Sequence, residues 1–362
     1  MSIRKYANGN GDSRWMVEWR VPGRVKRRKS FRTEREARVF EAEVIAARNR
    51  GVIYDPRRGD AITVAYVYSS WLASRQEVTA KVRRGFEDNW TGHVEPAFGS
   101  WPVTKVDRPS VQEWVNAMTV GPRTKRWRHS VLRMVLDHAV SEGWIVKNPS
   151  YGTSFPPLGH HEHLYLTADE VSSLARLCGN QGDVVTVLAY TGLRWGELVG
   201  LNVADVDIRR RRLHVRRSMT QVGGKLIDGA PKSRAGQRSV PIPAVITPAL
   251  QARIDGRPRH EPAITSPRGA RLSRENWVRS VKWKEQVAAL GYPSLRIHDL
   301  RHTYASLARS AGADLRILQK AMGHASITVT AHTYADLYDG ELDAVADALD
   351  TLARIENPST PG

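Results

Sequence analysis

A single cysteine, Cys178, stands in 362 residues. That excludes an internal disulfide framework and any multi-cysteine zinc site. Its place after Leu174 and Leu177 in a helical pattern assigns it to a core. No apolar stretch approaches the roughly 18 residues needed to span a bilayer. The beginning does not resemble a secretory leader, because Arg4 and Lys5 precede polar residues rather than an apolar run. A cytoplasmic protein is expected. Clusters of carboxylates, which a two-metal nuclease would need, are missing too, and the chain shows no internal repeat. Acidic residues are in deficit: 37 Asp and Glu face 55 Lys and Arg, a net charge of +18. The excess is spread along the chain rather than held in one tail, which points to a polyanionic partner, nucleic acid being the commonest. With 41% hydrophobic and 25% charged residues, the rest of the composition is that of a globular protein long enough for two or three cored domains.

Residues 1–57 read as a small module. Arg14–Arg20 alternates around Trp15, Val17 and Trp19, Gly23 marks a turn, and Val25–Phe31 is a second, very basic strand. Thr33, with Glu36 three residues on, is a capping box for a helix facing Ala37, Phe40, Val44 and Ala47 inward. Such a sheet and helix could dock in a DNA groove through Arg24, Lys26, Arg27 and Arg28, or be a structural appendage with a solvated hairpin. After a linker at Asp55-Pro56 and Gly59, residues 62–150 read as all helical. Their stripes are Val64, Val67, Tyr68, Trp71 and Leu72; Val111, Trp114, Val115 and Met118; and Val131, Met134, Val135, His138 and Ala139. Lys81, Arg83, Arg84, Arg123, Lys125, Arg126 and Arg128 lie between them, as phosphate contacts or as a solvated basic face. Gly152, Pro156, Pro157 and Gly159 mark a linker. His160, His161 and His163 cluster beside it, without the cysteines or paired carboxylates that would argue for a metal.

The last domain, 165–352, opens on a capping box at Thr167–Glu170, and residues 353–362 form a tail. Helices are expected at Asp183–Tyr190, from Leu193, near Asn276–Ala289, at His298–Ser310, at Leu315–Met322 and at Glu341–Leu352. Strands are expected around Val206–Ile208, Leu213–Val215 and Arg238–Ile242, with a hairpin at Gly223-Gly224. The fold class is therefore mainly α with small β elements. His298 and Arg301, three apart at a helix start, project from one face. A phosphate held between an imidazole and a guanidinium, with a tyrosine hydroxyl nearby, is set for phosphoryl transfer.

Thr191-Gly192-Leu193-Arg194-Trp195-Gly196-Glu197-Leu198, His298-Asp299-Leu300-Arg301-His302, Gly323-His324-Ala325-Ser326 and Thr333-Tyr334 follow one another in an order and spacing that resemble the boxes of the tyrosine recombinases, the phage integrase family. The resemblance is most specific over residues 165–352. It extends more loosely to 62–150, which is similar to the family's core-binding domain, and residues 1–57 look like the arm-binding domain of many phage integrases. It implies cleavage and rejoining of DNA strands through a 3′-phosphotyrosine, to integrate or excise phage or mobile-element DNA. It also implies double-stranded attachment sites, a homotetramer on two duplexes, and help from a small directionality protein and a host DNA-bending protein.

Residue by residue, Tyr334 matches the nucleophile, with Tyr338 a rival four residues on. Arg194 and Arg301 match the clamp on the non-bridging oxygens, a task suited to planar forks of donors, and Glu197 would orient Arg194. Lys232 in Pro231-Lys-Ser-Arg resembles the lysine that protonates the leaving 5′ oxygen, with Lys225 the competitor. His298 would assist proton transfer at Tyr334 or donate to the phosphate, and His324 would donate to a non-bridging oxygen. His302 and His138 read as satisfied core histidines. No metal or other cofactor is expected, since arginines do the electrostatic work. Leu342, Val345, Ala346 and Leu349 offer a face for docking on a neighbouring subunit, or in cis. A chromosome-dimer resolvase, a related topoisomerase and a catalytically silent DNA-binding protein are the other readings. The basic module before residue 58 speaks against the first and the full set of catalytic-type residues against the last, while the topoisomerase would share the chemistry and relax supercoils without a partner site.

Overall fold

The alternation around Trp15, Val17 and Trp19 becomes the middle strand of an antiparallel sheet, β1 (Ser2–Ala7), β2 (Ser13–Val21) and β3 (Val25–Phe31), in this computed structural model. The structure describes residues 1–9, 11–21, 25–49, 59–159, 163–229, 236–334, 346–347 and 349–351. Val17 and Trp19 are buried against Ala37, Phe40 and Val44 of α1 (Glu34–Asn49). Thr33 and Glu36 exchange the two bonds of a capping box, at 3.2 Å each. Strand β1 alternates too weakly to be read from its own residues, and pairing with β2 creates it. The β2–β3 register sets Arg27 opposite Trp19 and Lys29 opposite Val17, on the helix side of the sheet. Lys26 and Arg28 fall opposite Arg20 and Glu18, on the open face.

Contacts divide the chain into two units, 1–160 and 161–362. The first also holds α2 (Val64–Ala73), α3 (Ala80–Asn89), α4 (Arg108–Ala117) and α5 (Pro122–Ser141), around a core of their own. The anticipated stripes supply it: Val64, Val67, Tyr68 and Trp71 meet Val111, Val131, Val135 and Ala139. Helix α3 continues through a π-helical turn, Trp90–Val94, which seats Trp90 flat on Tyr68 at 4.1 Å.

In the second unit, α6 (Ala168–Leu177) starts at the Thr167–Glu170 capping box. It packs on α7 (Asp183–Thr191), the centre of the largest core. Nine residues make no stable helix alone. Burial of Val184, Val185, Val187 and Leu188, each worth roughly 1.5–3 kcal/mol, holds α7 in place. After α8 (Trp195–Gly200) come two small antiparallel sheets. One consists of β4 (Val206–Asp207), β5 (Arg212–Val215) and the later β8 (Arg238–Pro241); the other is the hairpin of β6 (Ser218–Val222) and β7 (Lys225–Gly229). Gly223 and Gly224 turn that hairpin with φ of +54° and +79°, as a primed turn requires. Helices α9 (Thr247–Ile254), α10 (Arg274–Ser280) and α11 (Trp283–Ala289) follow, then α12 (Asp299–Ser310), α13 (Leu315–Met322) and α14 (Ile327–Tyr334).

The single helix expected near Asn276–Ala289 is two. Lys282, at φ +50°, breaks it, and the break lets both Trp277 and Trp283 reach the core, 5.4 Å apart. The expected helix Glu341–Leu352 lies mostly outside the described residues. No described helix is long and apolar enough to cross a membrane.

Candidate active site

Helix α7 ends at Gly192, whose φ of +64° is left-handed; a side chain there would run into the Tyr304 ring. The chain then extends through Arg194 and enters α8. One turn on, Glu197 accepts the Arg194 backbone N–H at 3.0 Å and its Nη1 at 2.9 Å. The Arg194 side chain keeps 41% of its surface exposed, whereas that of Glu197 keeps 3%. A charge available to solvent is thus steered by one that is not.

Glu197 has a second partner that the sequence did not mark. Arg238, at the start of β8, donates Nη2 to it at 2.9 Å and Nε to the Ala321 carbonyl at 2.6 Å. Burial alone would raise the Glu197 pKa; the hydrogen bond and charge of Arg238, then the backbone and charge of Arg194, pull it below the usual range.

His298 precedes α12 and Arg301 lies one turn in. Arg301 is 2% exposed and donates to the Gly192 carbonyl, to the Met322 carbonyl at 2.7 Å and to His324 Nε2 at 3.0 Å. Burial, then the charge of Arg194, push Arg301 down to about 9, so it stays a cation at neutral pH. A guanidinium only donates, so His324 Nε2 accepts. This assigns the neutral Nδ1–H tautomer, with Nδ1 donating to Thr330 Oγ1 at 2.9 Å. Burial and the charges of Arg301 and Arg194 push His324 down to about 4. Gly323, left-handed at φ +65°, makes the turn that brings His324 back to Arg301. His298 as a residue is exposed, yet crowding of its imidazole by protein atoms, then Arg301 and Arg194, lower its pKa.

Tyr334 closes α14, 1% exposed. Its hydroxyl lies 2.9 Å from His302 Nδ1, and its ring lies parallel to that of His324 at 6.4 Å. Burial raises the phenol well above its usual pKa against the pull of Arg301. His302 is a buried histidine with a partner, and that partner is the candidate nucleophile. His138 bonds Ser70 Oγ at 3.0 Å. Lys232, Tyr338, Arg24, His160 and His161 lie outside the described residues; Lys225 opens β7, exposed.

Among the described residues, one group could offer metal ligands: His163, Asp299 and His302, with ligand atoms within 4.8 Å of one another. The two imidazoles stack at 4.0 Å with only 30° between their planes. Their in-plane lone pairs therefore run side by side rather than converging on an ion, and His302 Nδ1 is committed to Tyr334.

The basic residues of the first unit divide by use. Arg83 bonds the Arg75 carbonyl at 2.6 Å, Lys125 that of Val115 at 3.1 Å, and Arg126 that of Pro156 at 3.0 Å. These charges help hold the fold. Lys81, Arg84 and Arg123 are exposed, Arg84 paired with Asp88 at 2.8 Å, and Arg128 is half-buried.

Arginines and histidines grouped around a tyrosine, on a mainly helical unit with small sheets, are the residue types that phosphoryl transfer by a tyrosine calls for. The phage integrase family matches residues 165–341. The integrase of Mycobacterium phage FRAT1 is 31% identical over 277 residues, covering 73% of this chain and 81% of that one. The integrase of Mycobacterium phage L5 is 29% identical over 307 residues, covering 81% and 80%. Among solved structures, the Tn1549 transposon integrase in complex with a circular intermediate DNA has a TM-score of 0.66 at 23% identity, covering 79% of this chain and all of that one. A lambda integrase tetramer bound to a Holliday junction scores 0.58 at 17% identity, covering 91% and 94%. The chain belongs to the phage integrase family of tyrosine recombinases, and its activity is site-specific recombination through a phosphotyrosine intermediate.

Proposed function

We propose that this chain integrates and excises the DNA of a phage or mobile element at double-stranded attachment sites, with Tyr334 as its nucleophile. The observation that carries the reading is the meeting of three helix ends: Arg301 from α12, His324 from beyond α13 and Tyr334 from α14 share one cluster, with Arg194 aimed by Glu197 beside it. In that arrangement Arg194 and Arg301 take the non-bridging oxygens, and their charge stabilises the phosphorane more than the ground state. His324, whose two nitrogens face Arg301 and Thr330 in the free protein, would turn or take a proton to donate to the phosphate. His298 lines the same mouth, and Lys232 supplies the proton to the leaving 5′ oxygen.

Residues 1–57 would read arm-type sites through the open sheet face, where Lys26 and Arg28 lie; residues 62–150 would grip the core site, with Lys81, Arg84 and Arg123 on phosphates. The lambda integrase tetramer on a Holliday junction supports assembly of four copies on two duplexes. A directionality protein and a DNA-bending protein of the host cell would act with it, in the cytoplasm.

Covalent trapping tests this. Nicked duplexes tiled over the DNA flanking the gene are incubated in EDTA with wild type, Tyr334→Phe and Tyr338→Phe, and run on a denaturing gel. An adduct lost only in Tyr334→Phe is expected; one that survives that substitution would refute the assignment.

A further inference from the structure

Before or while a tyrosine attacks phosphorus, its hydroxyl must lose a proton. Here the tyrosine is 1% exposed, and among the described residues its hydroxyl's hydrogen-bond partner is His302, itself 7% exposed. His298, the histidine suggested by the motif, lies in the exposed turn before α12. Behind His302, His163 stacks on the ring, and the Asp299 carboxylate lies within 4.8 Å of a ligand nitrogen of each histidine. Asp299 is itself buried and fixed by the Arg296 backbone N–H at 2.7 Å.

We propose that His302 is the general base for Tyr334, with Asp299 positioned to hold the imidazolium that forms. This rests on Tyr334 being the nucleophile. The step balances: the phenolic oxygen bonds to phosphorus, the bond from phosphorus to the 5′ oxygen breaks, and the phenolic proton passes to His302 Nδ1. The 5′ oxygen takes its proton from a separate donor, Lys232 on the reading above. In rejoining, the 5′ hydroxyl attacks phosphorus and gives its proton back to that same donor, the bond from phosphorus to the tyrosine oxygen breaks, and Nδ1 returns its proton to that oxygen. Nothing is oxidised or reduced. It is the logic of nucleophile, base and orienting carboxylate, built on a helix start. His302 is neutral in the free protein because burial, then His163, His298, Arg301 and His324, oppose its charge. A phosphodiester arriving between Arg194 and Arg301 offsets the arginine part of that opposition, and the phenolic proton becomes acidic as its oxygen bonds to phosphorus.

The test uses the full chain on a flanking-DNA duplex that supports the adduct, made with either oxygen or sulfur as the 5′ bridging atom of the scissile phosphate. Sulfur leaves without a proton, so it rescues loss of the acid but not loss of the base. His302→Ala and His302→Asn are expected to form the adduct about 10²–10⁴-fold more slowly on both substrates. Their rates should climb about tenfold per pH unit from 7 to 9, as hydroxide replaces the base, while the wild-type rate stays flat. His163, His298, His324, Arg301 and Asp299 remain in both variants, so the change of slope belongs to position 302. The asparagine variant, shown folded by its thermal unfolding and DNA affinity, carries the test if alanine does not fold. Wild-type rates in that variant, or rescue by sulfur, would overturn the proposal. An adduct in Tyr334→Phe would instead overturn the assignment of the nucleophile. Nitrogen-15 NMR of the free protein decides without DNA: Nδ1 of His302 should be unprotonated, and an N–H there would exclude it as the base.

Discussion

Replacing Glu197 by alanine removes the carboxylate that holds two arginines at once. The two are not equal. Arg194 can turn to solvent, so its release costs no more than about 1 kcal/mol. Arg238 cannot: its side chain is 5% exposed, and a buried ion stripped of its counter-charge costs about 3–5 kcal/mol. Arg238 keeps the Ala321 and Gly236 carbonyls as acceptors, which favours the lower end, about 3 kcal/mol. Glu197→Gln keeps one acceptor and should cost roughly 1.5–3 kcal/mol, the range for a hydrogen bond to a charged group. Native-state hydrogen exchange on peptides covering α7, α8 and β8 reads this locally; 3 kcal/mol corresponds to about 150-fold faster exchange. Peptides from α2 and α5, in the other unit, serve as the control and should not change. Glu197→Leu with Arg238→Met together should recover most of the loss, since a well-packed apolar pair replaces a buried ion pair at little cost. Exchange within twofold of wild type in Glu197→Ala would refute the reasoning. The pH dependence follows in sign: the folded pKa of Glu197 lies below its ordinary 4.5, so its contribution is complete above that pH and lost as pH falls through the folded value.

Three further outcomes are expected. Gly192→Ala must adopt a left-handed backbone, costing about 1–2 kcal/mol, and must displace the Tyr304 ring; thermal unfolding should shift down and strand cleavage should slow. His302 and His324, pushed down to about 3 and about 4, stay neutral when folded but charge near pH 6.5 when unfolded. Stability should therefore be complete above pH 6.5 and fall steadily toward pH 4, with a shallower fall in His302→Asn; a urea midpoint that does not move with pH would contradict this. Arg123→Ala should leave stability within about 0.5 kcal/mol and flatten the salt dependence of DNA affinity by about one unit of slope. Arg126→Ala, which frees the Pro156 carbonyl, should destabilise the first unit instead, and equal behaviour of the two would erase the distinction.

Local chemistry was legible in the residues. Both capping boxes, Thr33–Glu36 and Thr167–Glu170, join groups three apart, a spacing that the helix itself imposes. The stripes through Trp71 and Val135 could be read because helical periodicity and burial are one signal. Pairing across distance was not legible. Arg238 meets Glu197 across 41 residues, through the pairing of β8 with β5, and nothing beside it in the chain sets it apart from the other arginines of the segment. The basic runs looked uniform until register and carbonyl contacts sorted Arg28 from Arg27 and Arg123 from Arg126. The break at Lys282 is a backbone choice made by two tryptophans seeking the same core, and composition carries no trace of it.

The Gly192 peptide carries a mechanical consequence. Its carbonyl receives Arg301, and its left-handed turn aims Arg194 two residues later. The two arginines that would grip a phosphate are therefore both set from the tip of α7, a helix whose Val184, Val187 and Leu188 are buried in the core. A hydrocarbon trimmed there is expected to loosen the tip that sets both arginines. Small errors of spacing weigh far more on the reacting geometry than on docking, so such a change is expected to leave DNA held and uncut.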